Sequence, residues 1–400
     1  MLRYFRVTTL AMTASHPKTA ARMDGIAPFH VMDILARAQA LEAAGRDIIH
    51  LEIGEPDFAT PEPVVAAGIA ALRAGHTHYT GALGLPALRE AIAGFYAARW
   101  QAAVDPARIV VTPGASGALL LTLGLLAGPG DEVLMADPGY PCNRHFAHFC
   151  DARAVTVPVD AGSGFQLTLE SLQRHATSAT RAVLIASPSN PTGTAISSDE
   201  LARIRDWCRA QGVALIVDEI YLALTYDGSE HSAARWDDTF VVNSFSKYFS
   251  MTGWRLGWLV APAWAMPALE RLAQNLFLAA ATPAQHAALA AFSPATLDEL
   301  ETRKAELRAR RDFLLPALRE RGFDIPLAPQ GAFYLYADCS RLTSDSYAFA
   351  NLLLEQAGIA ATPGVDFGSH RAAHHIRFAY TRPLPRLADA MTRLDRFLQA

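Results

Sequence analysis

The chain has 400 residues, of which 51% are hydrophobic and 18% charged, as is usual for a folded protein of one or two domains. Its formal net charge of -4 gives no broad positive field, and no run approaches the ~20 apolar residues that span a bilayer, so we expect small-molecule partners rather than nucleic acid or membrane. The 4 cysteines lack C-x-x-C spacing and the density of a disulfide scaffold, which favours free thiols in a reducing, cytoplasmic compartment.

The first 24 residues are set apart as an N-terminal tail. They carry several Arg and Lys residues and no acid before Asp24, a composition that faintly resembles a transit peptide. A tail without regular structure, or translation that begins at Met12 or Met23, explains the same composition.

From about residue 64 the sequence alternates extended and helical patterns, which is typical of βαβ units, a largely parallel sheet and the α/β class. The predicted strands are short apolar runs of the kind that is buried on both faces. They are Arg108–Thr112, Glu132–Ala136, Ala154–Val159, Ala182–Ser187, Ala214–Asp218 and Phe240–Asn243. The predicted helices between them include Leu85–Arg99, Ala118–Ala127 and Asp199–Ala210, the last preceded by Ser197 and Glu200 at the spacing of a capping box.

After about residue 295 the pattern changes and predicts a second, smaller domain. A long charged helix comes first. Two strands and two further helices follow, near Phe333–Ala337, Ile376–Ala379, Tyr347–Gln356 and Leu387–Leu398.

A glycine-rich turn, TPGASGAL, spans Thr112–Leu119, where a predicted strand ends and a helix begins. Small residues let the backbone approach a ligand closely, and the helix dipole favours an anion by ~0.3–1 kcal/mol. We interpret the turn as a candidate phosphate site, with an ordinary tight strand-to-helix connection as the alternative.

Two further strand ends carry candidate ligand-binding residues. Tyr140, in DPGYP, offers an aromatic face on which a flat ring can stack, or is a plain loop aromatic. Asn190, in SPSNPTG, offers an amide to a ligand oxygen or a carboxylate, or forms an Asn-Pro turn.

The segment ALIVDEIY places Asp218 at a strand end and Tyr221 one turn later. A buried carboxylate needs a cationic or hydrogen-bonding partner, which a protonated ring nitrogen of a ligand would supply. Tyr221 is positioned to donate to an oxygen of the same ligand, although a core tyrosine with a satisfied hydroxyl is an equally simple interpretation.

The strongest segment is SFSKYFSMTGWRLGW, Ser244–Trp258, which directly follows a buried strand. Lys247 therefore lies beyond the carboxyl end of a strand, where open α/β sheets bind ligands. Most lysines are solvated surface charges, but Ser244, Ser246 and Arg255 add hydroxyl and guanidinium donors that suit a phosphate dianion.

In order and content these motifs resemble the class I/II aminotransferases, the aspartate-aminotransferase-like enzymes of pyridoxal-5′-phosphate (PLP) fold type I. NPTG, DEIY, S-x-S-K and T-G-W-R-x-G follow one another in family order, and the resemblance extends from Leu51–Phe58 (LEIGEPDF) to His374–Tyr380 (HHIRFAY). It implies a large domain over residues 62–295 with a mostly parallel seven-stranded sheet. It also implies a small α/β domain from residues 25–61 and 296–400, and a homodimer with shared active sites.

The resemblance also implies a ping-pong transfer of an amino group from an L-amino acid to a 2-oxo acid, with Lys247 holding PLP as a Schiff base and serving as acid and base. Gly54 and Arg377 would bind the substrate carboxylate, and Tyr79 would reach the neighbouring subunit's phosphate. Ala115 and Ser116 would also contact phosphate.

Four other functions compete with this interpretation. A carbon–sulfur β-lyase shares the fold and the motifs. A non-catalytic PLP sensor would need a DNA-binding domain, and no basic helix-turn-helix precedes Leu51. A dehydrogenase would need G-x-G-x-x-G after the first strand, and this motif is not found. A metal enzyme would need acidic or cysteine partners at ligand spacing near the histidine pairs His76/His78 and His374/His375, and none is found there.

The expected amino donor is neutral or aromatic rather than aspartate, and 2-oxoglutarate stays open as the acceptor. A distal carboxylate needs a second cation, which related enzymes take from a neighbouring subunit's segment or from a lysine in the phosphate turn. Here Gln274–Leu289 contains no Arg or Lys, and the phosphate turn has Ser116. Phe277 is a candidate contributor to an apolar side-chain pocket.

Overall fold

A seven-stranded sheet organises the protein, whose computed structural model describes residues 18–226 and 231–399. The strands of this sheet lie in the order β2-β8-β7-β6-β5-β3-β4, and all are parallel except β8, which is antiparallel to both of its neighbours. In chain order the strands are β1 (Ile49–His50), β2 (Ile109–Thr112), β3 (Glu132–Asp137), β4 (Arg153–Pro158), β5 (Thr180–Ala186), β6 (Ala214–Asp218), β7 (Phe240–Ser244), β8 (Gly257–Val260), β9 (Tyr334–Asp338), β10 (Ile359–Ala360), β11 (Thr362–Pro363) and β12 (His375–Ala379).

Helices cover the sheet and connect its strands. They are α1 (His30–Ala43), α2 (Glu62–Arg73), α3 (Pro86–Trp100), α4 (Gly114–Leu126), α5 (Pro141–Phe149), α6 (Leu169–His175), α7 (Ser198–Gln211), α8 (Met266–Leu276), α9 (Thr282–Leu289), α10 (Pro294–Glu320), α11 (Ser346–Leu352) and α12 (Leu384–Gln399). None of the helices in the described ranges has the length and apolarity to cross a membrane.

The remaining strands form two smaller sheets. β11, β12 and β9 make an antiparallel sheet, and β1 pairs with β10 in parallel. The seven-stranded sheet lies wholly within residues 62–295, and the smaller sheets come from both ends of the chain, which supports the proposed division into a large domain and a small one.

The α/β class and the mostly parallel sheet are confirmed, and the six predicted strands are present with ends shifted by a few residues. Sequence reasoning missed β8, because its four residues, GWLV, follow the lysine motif without a separating turn signal. The prediction that every strand is buried on both faces is wrong for β4. It is one of the two edge strands, and it exposes Arg153, Thr156 and Pro158.

Two local predictions hold only in part. Ser197 accepts from the Glu200 backbone at 3.2 Å, but the Glu200 carboxylate accepts from the Leu169 backbone N–H at 2.6 Å, so the capping box is not closed. Residues 1–17 of the predicted tail lie outside the described residues. Its last residues begin a 3-10 turn, Ala21–Gly25, and the backbone oxygen of Arg22 in this turn contacts the His148 ring at 2.8 Å.

The residues before α2 are fixed to α10 by a buried ion pair. Arg310 of α10 is 1% exposed, and its Nη1 donates to Asp57 Oδ1 at 2.8 Å, while its guanidinium lies 5.0 Å from the centre of the Phe58 ring. Glu306 accepts from the same guanidinium. This pair holds the chain three residues after Gly54.

We expect Asp57→Ala to lower the free energy of unfolding by ~3 kcal/mol, because it removes one of the two carboxylates that neutralise a buried guanidinium. Urea denaturation of the cofactor-free protein measures the effect. Arg181→Ala is the matched control, since its pair with Asp131 is 53% exposed on the arginine side and is worth less than ~1 kcal/mol. Equal losses in the two variants would contradict the prediction.

Candidate active site

The carboxyl ends of the parallel strands surround a cavity of about 290 Å3 at one edge of the large sheet. β2, β3, β5, β6 and β7 all end at this edge, so the turns that follow them meet there. Twelve of the fourteen residues predicted for the site or its side-chain pocket line the cavity: Gly54, Ala115, Ser116, Tyr140, Asn190, Asp218, Tyr221, Ser244, Ser246, Lys247, Arg255 and Arg377. No group of three or more possible metal ligands occurs in the described part of the chain.

Lys247 lies three residues beyond β7, with its amine inside the cavity. Nζ donates to the Gly54 carbonyl at 2.6 Å, and the rings of Tyr221 and Phe333 are each centred 6.0 Å away. Burial lowers the pKa of this amine to about 8, and the nearby Glu55 carboxylate opposes the shift. Near neutral pH the fraction of Lys247 that is present as the free, nucleophilic amine is therefore much larger than that of a solvated lysine.

Asp218 is the last residue of β6 and is 5% exposed. Its Oδ1 accepts from the Ile220 backbone N–H at 3.1 Å. Burial raises the pKa of the Asp218 carboxyl to about 6, while that backbone bond and the Lys247 charge oppose the shift. A cationic ring N–H in the cavity would offset this desolvation, so Asp218 fits the pyridine nitrogen of PLP.

An anion cradle forms where β7, β8 and α4 meet. Ser244 and Ser246 join through their hydroxyls at 2.9 Å, and Arg255 adopts a left-handed backbone conformation, φ 51°, in which Nη1 donates to the Thr252 carbonyl at 3.0 Å. A Cβ on Gly114 would lie 2.9 Å from Arg255 Nη2, and one on Gly257 would lie 2.6 Å from the Gly114 carbonyl carbon. These glycines let the arginine and the start of α4 converge, as a phosphate site requires.

Arg377, on β12, extends a nearly buried guanidinium into the cavity. It is 4% exposed, and Nη1 donates to Asn190 Oδ1 at 2.9 Å and Nη2 to Thr362 Oγ1 at 3.1 Å. Nε has no partner among the described residues, and the guanidinium stacks 4.3 Å from the centre of the Tyr334 ring. A planar fork with an unsatisfied N–H is suited to bidentate binding of a carboxylate.

Tyr334 is a site residue that sequence reasoning missed. Its hydroxyl lies 2.8 Å from the Tyr221 hydroxyl, and the two residues are 113 positions apart. A Cβ on Gly54 would approach the Tyr334 hydroxyl to 2.3 Å, so this position accepts only glycine while the ring stays in place. The strand pattern FYLY predicts Tyr334 as core, and nothing local signals its second role.

Other cavity residues were not predicted either, because each appears as ordinary wall or core in the sequence. The apolar ones come mainly from the start of α1 and from helix and loop positions near the strand ends. They include Phe29, Val31, Met32, Leu119, Pro141 and Phe367. Two buried acids, Glu52 and Asp366, also line the cavity, and Glu52 pairs with His50 Nδ1 at 2.7 Å.

Tyr79 and Phe277 lie elsewhere. Tyr79 is 82% exposed and does not line the cavity of its own chain. Phe277, one residue beyond α8, packs beside the buried cluster formed by α4, α8 and one face of the sheet. Within one chain, therefore, neither residue contacts the space around Lys247.

Comparison with known proteins agrees with this arrangement. A model of the family "Aminotransferase class I and II" matches residues 46–394. The chain is 40% identical over 377 residues to the valine–pyruvate aminotransferase of Mycobacterium tuberculosis, covering 94% of this chain and 97% of that protein. It is 37% identical to an arginine–pyruvate transaminase of Pseudomonas aeruginosa, covering 90% of this chain and 93% of that one.

Among solved structures, an aminotransferase from Mycobacterium tuberculosis superposes with a TM-score of 0.92 at 40% identity, covering 96% of this chain and 100% of the other. The resemblance inferred from the motifs is thus confirmed, as are the fold type I architecture and the PLP cofactor that go with the family. The chain belongs to the class I and II aminotransferases and is a PLP-dependent enzyme that transfers amino groups.

Proposed function

We propose that the protein transfers the amino group of a neutral or aromatic L-amino acid to a 2-oxo acid, in the cytoplasm and as a homodimer. One observation carries the donor class: apart from the residues with assigned roles, the cavity is lined largely by apolar side chains, among them Phe29, Val31 and Met32, and by the two buried acids Glu52 and Asp366. Bound PLP supplies the electron-withdrawing ring that makes the substrate α-proton removable.

In this proposal Arg377 and Lys247 act on two different groups of the substrate's α-carbon, the carboxylate and the proton. Arg377 holds the α-carboxylate with its planar fork, assisted by the backbone at Gly54, and so fixes the α-carbon near Nζ. Lys247 would attach the cofactor through its amine, and the same amine, once the incoming substrate amine has displaced it, would take the α-proton. A pKa of about 8 suits this work, because the group both accepts and donates a proton near neutral pH.

The remaining residues hold the cofactor. Asp218 would keep the ring nitrogen protonated, and Tyr140 would offer its aromatic face to the ring. Tyr221 and Asn190 offer polar groups to the ring oxygen, and the Tyr334 hydroxyl orients Tyr221. The phosphate is held by the anion cradle, to which four side chains and the start of α4 contribute: Ser116, Ser244, Ser246, Arg255 and the Ala115 backbone.

The charges in the cavity support a neutral donor. Among the described residues that line it, the cations are Lys247, Arg255 and Arg377, and each already has a cofactor or carboxylate to bind. The other ionisable carboxyls, Glu52 and Asp366, would repel an acidic side chain. Burying an unpaired distal carboxylate costs several kcal/mol, ~2–5, which an apolar side chain avoids.

The names of the relatives support pyruvate or a similar small 2-oxo acid as acceptor. Both the Mycobacterium tuberculosis and the Pseudomonas aeruginosa proteins are named for pyruvate, and the first is named for valine. Valine is a neutral, branched donor of the kind that the apolar wall favours.

The exposed Tyr79 supports a homodimer with shared sites. The segment that carries it is fixed to α9, because Thr282 Oγ1 donates to the His78 carbonyl at 2.7 Å and Gln285 Nε2 to Thr80 Oγ1 at 3.2 Å. A large aromatic ring displayed on a fixed segment is suited to a contact with a second copy. The exposed Leu276 and Leu278, on either side of Phe277, offer further apolar area for it.

We expect Lys247→Ala to abolish transamination and borohydride-trappable cofactor while leaving the fold intact. The chain contains only three lysines, Lys18, Lys247 and Lys304, so a peptide map of the reduced wild-type protein identifies the modified one without ambiguity. Lys304→Ala is the control and should retain both properties. Trapped cofactor in Lys247→Ala, or pyruvate and ammonia released from cysteine conjugates by the wild type in place of amino transfer, would contradict the proposal.

We expect kcat/KM for valine, leucine, methionine and phenylalanine to exceed that for aspartate by about tenfold or more with pyruvate as acceptor, a difference of ~1.4 kcal/mol or more in transition-state binding. Ser116→Lys, which adds a cation to the cavity, should narrow the gap by raising the aspartate value. A wild-type preference for aspartate would show that a cation outside the described cavity wall binds the distal carboxylate.

Shared active sites predict complementation between two inactive variants. Lys247→Ala and Tyr79→Ala each disable their homodimers, but a hybrid dimer has one site in which both residues are native. Unfolding and refolding an equimolar mixture should therefore restore about one quarter of wild-type activity. No recovery, with mixed dimers present by mass spectrometry, would contradict the trans role of Tyr79.

A further inference from the structure

Asp366 links two segments that are far apart in the sequence. It is 3% exposed and lies in the short turn after β11. Its Oδ1 accepts from the His30 backbone N–H and its Oδ2 from the Val31 backbone N–H, both at 2.8 Å. One carboxylate therefore accepts from two consecutive amides at the start of α1, across more than 330 residues of sequence.

These two bonds replace a cap that α1 lacks. The residue before the helix is Phe29, whose side chain cannot accept from the first amides, and no local side chain caps them. Exposed N–H groups at a helix start are satisfied by an acceptor or by water. Asp366 supplies a charged acceptor, which also interacts favourably with the helix dipole.

The segment held in this way forms part of the apolar wall of the cavity. Phe29, Val31 and Met32 all line it, although Met32 is 52% exposed and Phe29 and Val31 are only half-buried. Side chains with this much exposure are not fixed by core packing. Their position therefore depends on the backbone that carries them, and that backbone depends on Asp366.

The same turn is fixed to the substrate-carboxylate side of the cavity. Phe367 stacks 4.9 Å from the Arg377 guanidinium, and its carbonyl accepts from the Gly139 backbone N–H at 2.8 Å, next to Tyr140. Arg144 Nη2 donates to the Asp366 carbonyl at 2.7 Å. The backbone of this turn is thus held by Gly139 and Arg144, while the Asp366 carboxylate accepts from the amides of α1.

We propose that Asp366 is the positioning residue for side-chain specificity: it sets the distance between the Arg377 fork and the wall of Phe29, Val31 and Met32, and so selects bulky apolar donors over alanine. The inference rests on the proposed neutral-donor function. On this proposal, a donor with a long or branched side chain contacts the α1 wall and alanine does not, so only the bulky donors respond to a change in the position of the wall.

The kinetic test compares alanine, valine, leucine and phenylalanine in wild type, Asp366→Asn and Asp366→Ala. We expect KM for leucine and phenylalanine to rise about tenfold in Asp366→Ala, with kcat and the alanine KM changed less than about twofold. Asp366→Asn keeps one acceptor and should give an intermediate loss for the bulky donors. A uniform fall in kcat for all four donors would overturn the proposal, because it would mean that Asp366 merely supports the fold.

Amide hydrogen exchange tests the connection without any turnover. The His30 and Val31 amides should exchange faster in Asp366→Ala than in wild type, with or without cofactor. Asp33→Asn is the matched control: it removes an exposed carboxylate from the first turn of the same helix but makes no bond to these amides. It should leave both the exchange and the donor profile unchanged.

The outcomes separate the inference from the function on which it rests. If wild type transaminates neutral donors but Asp366→Ala leaves the donor profile unchanged, the positioning role is wrong and the function stands. If wild type transaminates no neutral donor, the function fails. Unchanged amide exchange at His30 and Val31 in Asp366→Ala would overturn the proposed connection in either case.

Discussion

The active site depends on keeping a lysine amine in a protein-lined cavity rather than in water. Burial disfavours the ammonium form and brings the pKa of Lys247 down to about 8, so that near neutral pH the group exchanges a proton readily. The same burial raises the pKa of Asp218 to about 6. One desolvated cavity therefore shifts the pKa of an amine and that of a carboxyl in opposite directions, because burial disfavours the charged form of each group.

The sheet makes this environment available because parallel strands end at one edge. Asp218 ends β6 and Lys247 follows β7, and these neighbouring strands pair directly. β8 then returns antiparallel and brings Gly257 against the Gly114 backbone, which closes the anion cradle. Asp218 and Arg377 are thus placed by hydrogen-bonded strands, and Lys247 and Arg255 by the connection between the paired strands β7 and β8. A site with defined geometry requires such support.

Whether a residue of the candidate site could be predicted depends on how far apart in the sequence its partners lie. Lys247, Asp218, Tyr140 and Asn190 were predictable as site residues because each follows an apolar run, and strand ends at a parallel edge meet whatever the rest of the chain does. Gly54 and Arg377 came only from the family resemblance, since no local pattern connects residues on opposite ends of the chain. Neither the local patterns nor the family resemblance predicted Tyr334 or Asp366.

Their roles depend on side-chain contacts between distant segments, which leave no periodic trace in the sequence. Asp366 in PGVDFG is simply an acid in a turn until the fold brings it against α1. The apolar residues at the start of α1 are similarly ambiguous, because apolar residues near a helix start usually pack into a core.

In the proposed division, the small domain contributes to the cavity in two ways, from β12 and from the turn after β11. β12 presents Arg377 with partners that hold its plane, Asn190 and Thr362, which suits a contact common to every amino acid substrate. The turn after β11 instead holds α1 through backbone amides and leaves the wall's side chains half-exposed. The contact proposed for the α-carboxylate, at Arg377, and the wall proposed for the side chain, at the start of α1, can therefore be altered independently of each other. Substitutions at residues 29–32 alter the wall surface without touching the fork, because the carboxylate that holds the wall accepts only from backbone N–H groups, which every residue but proline provides.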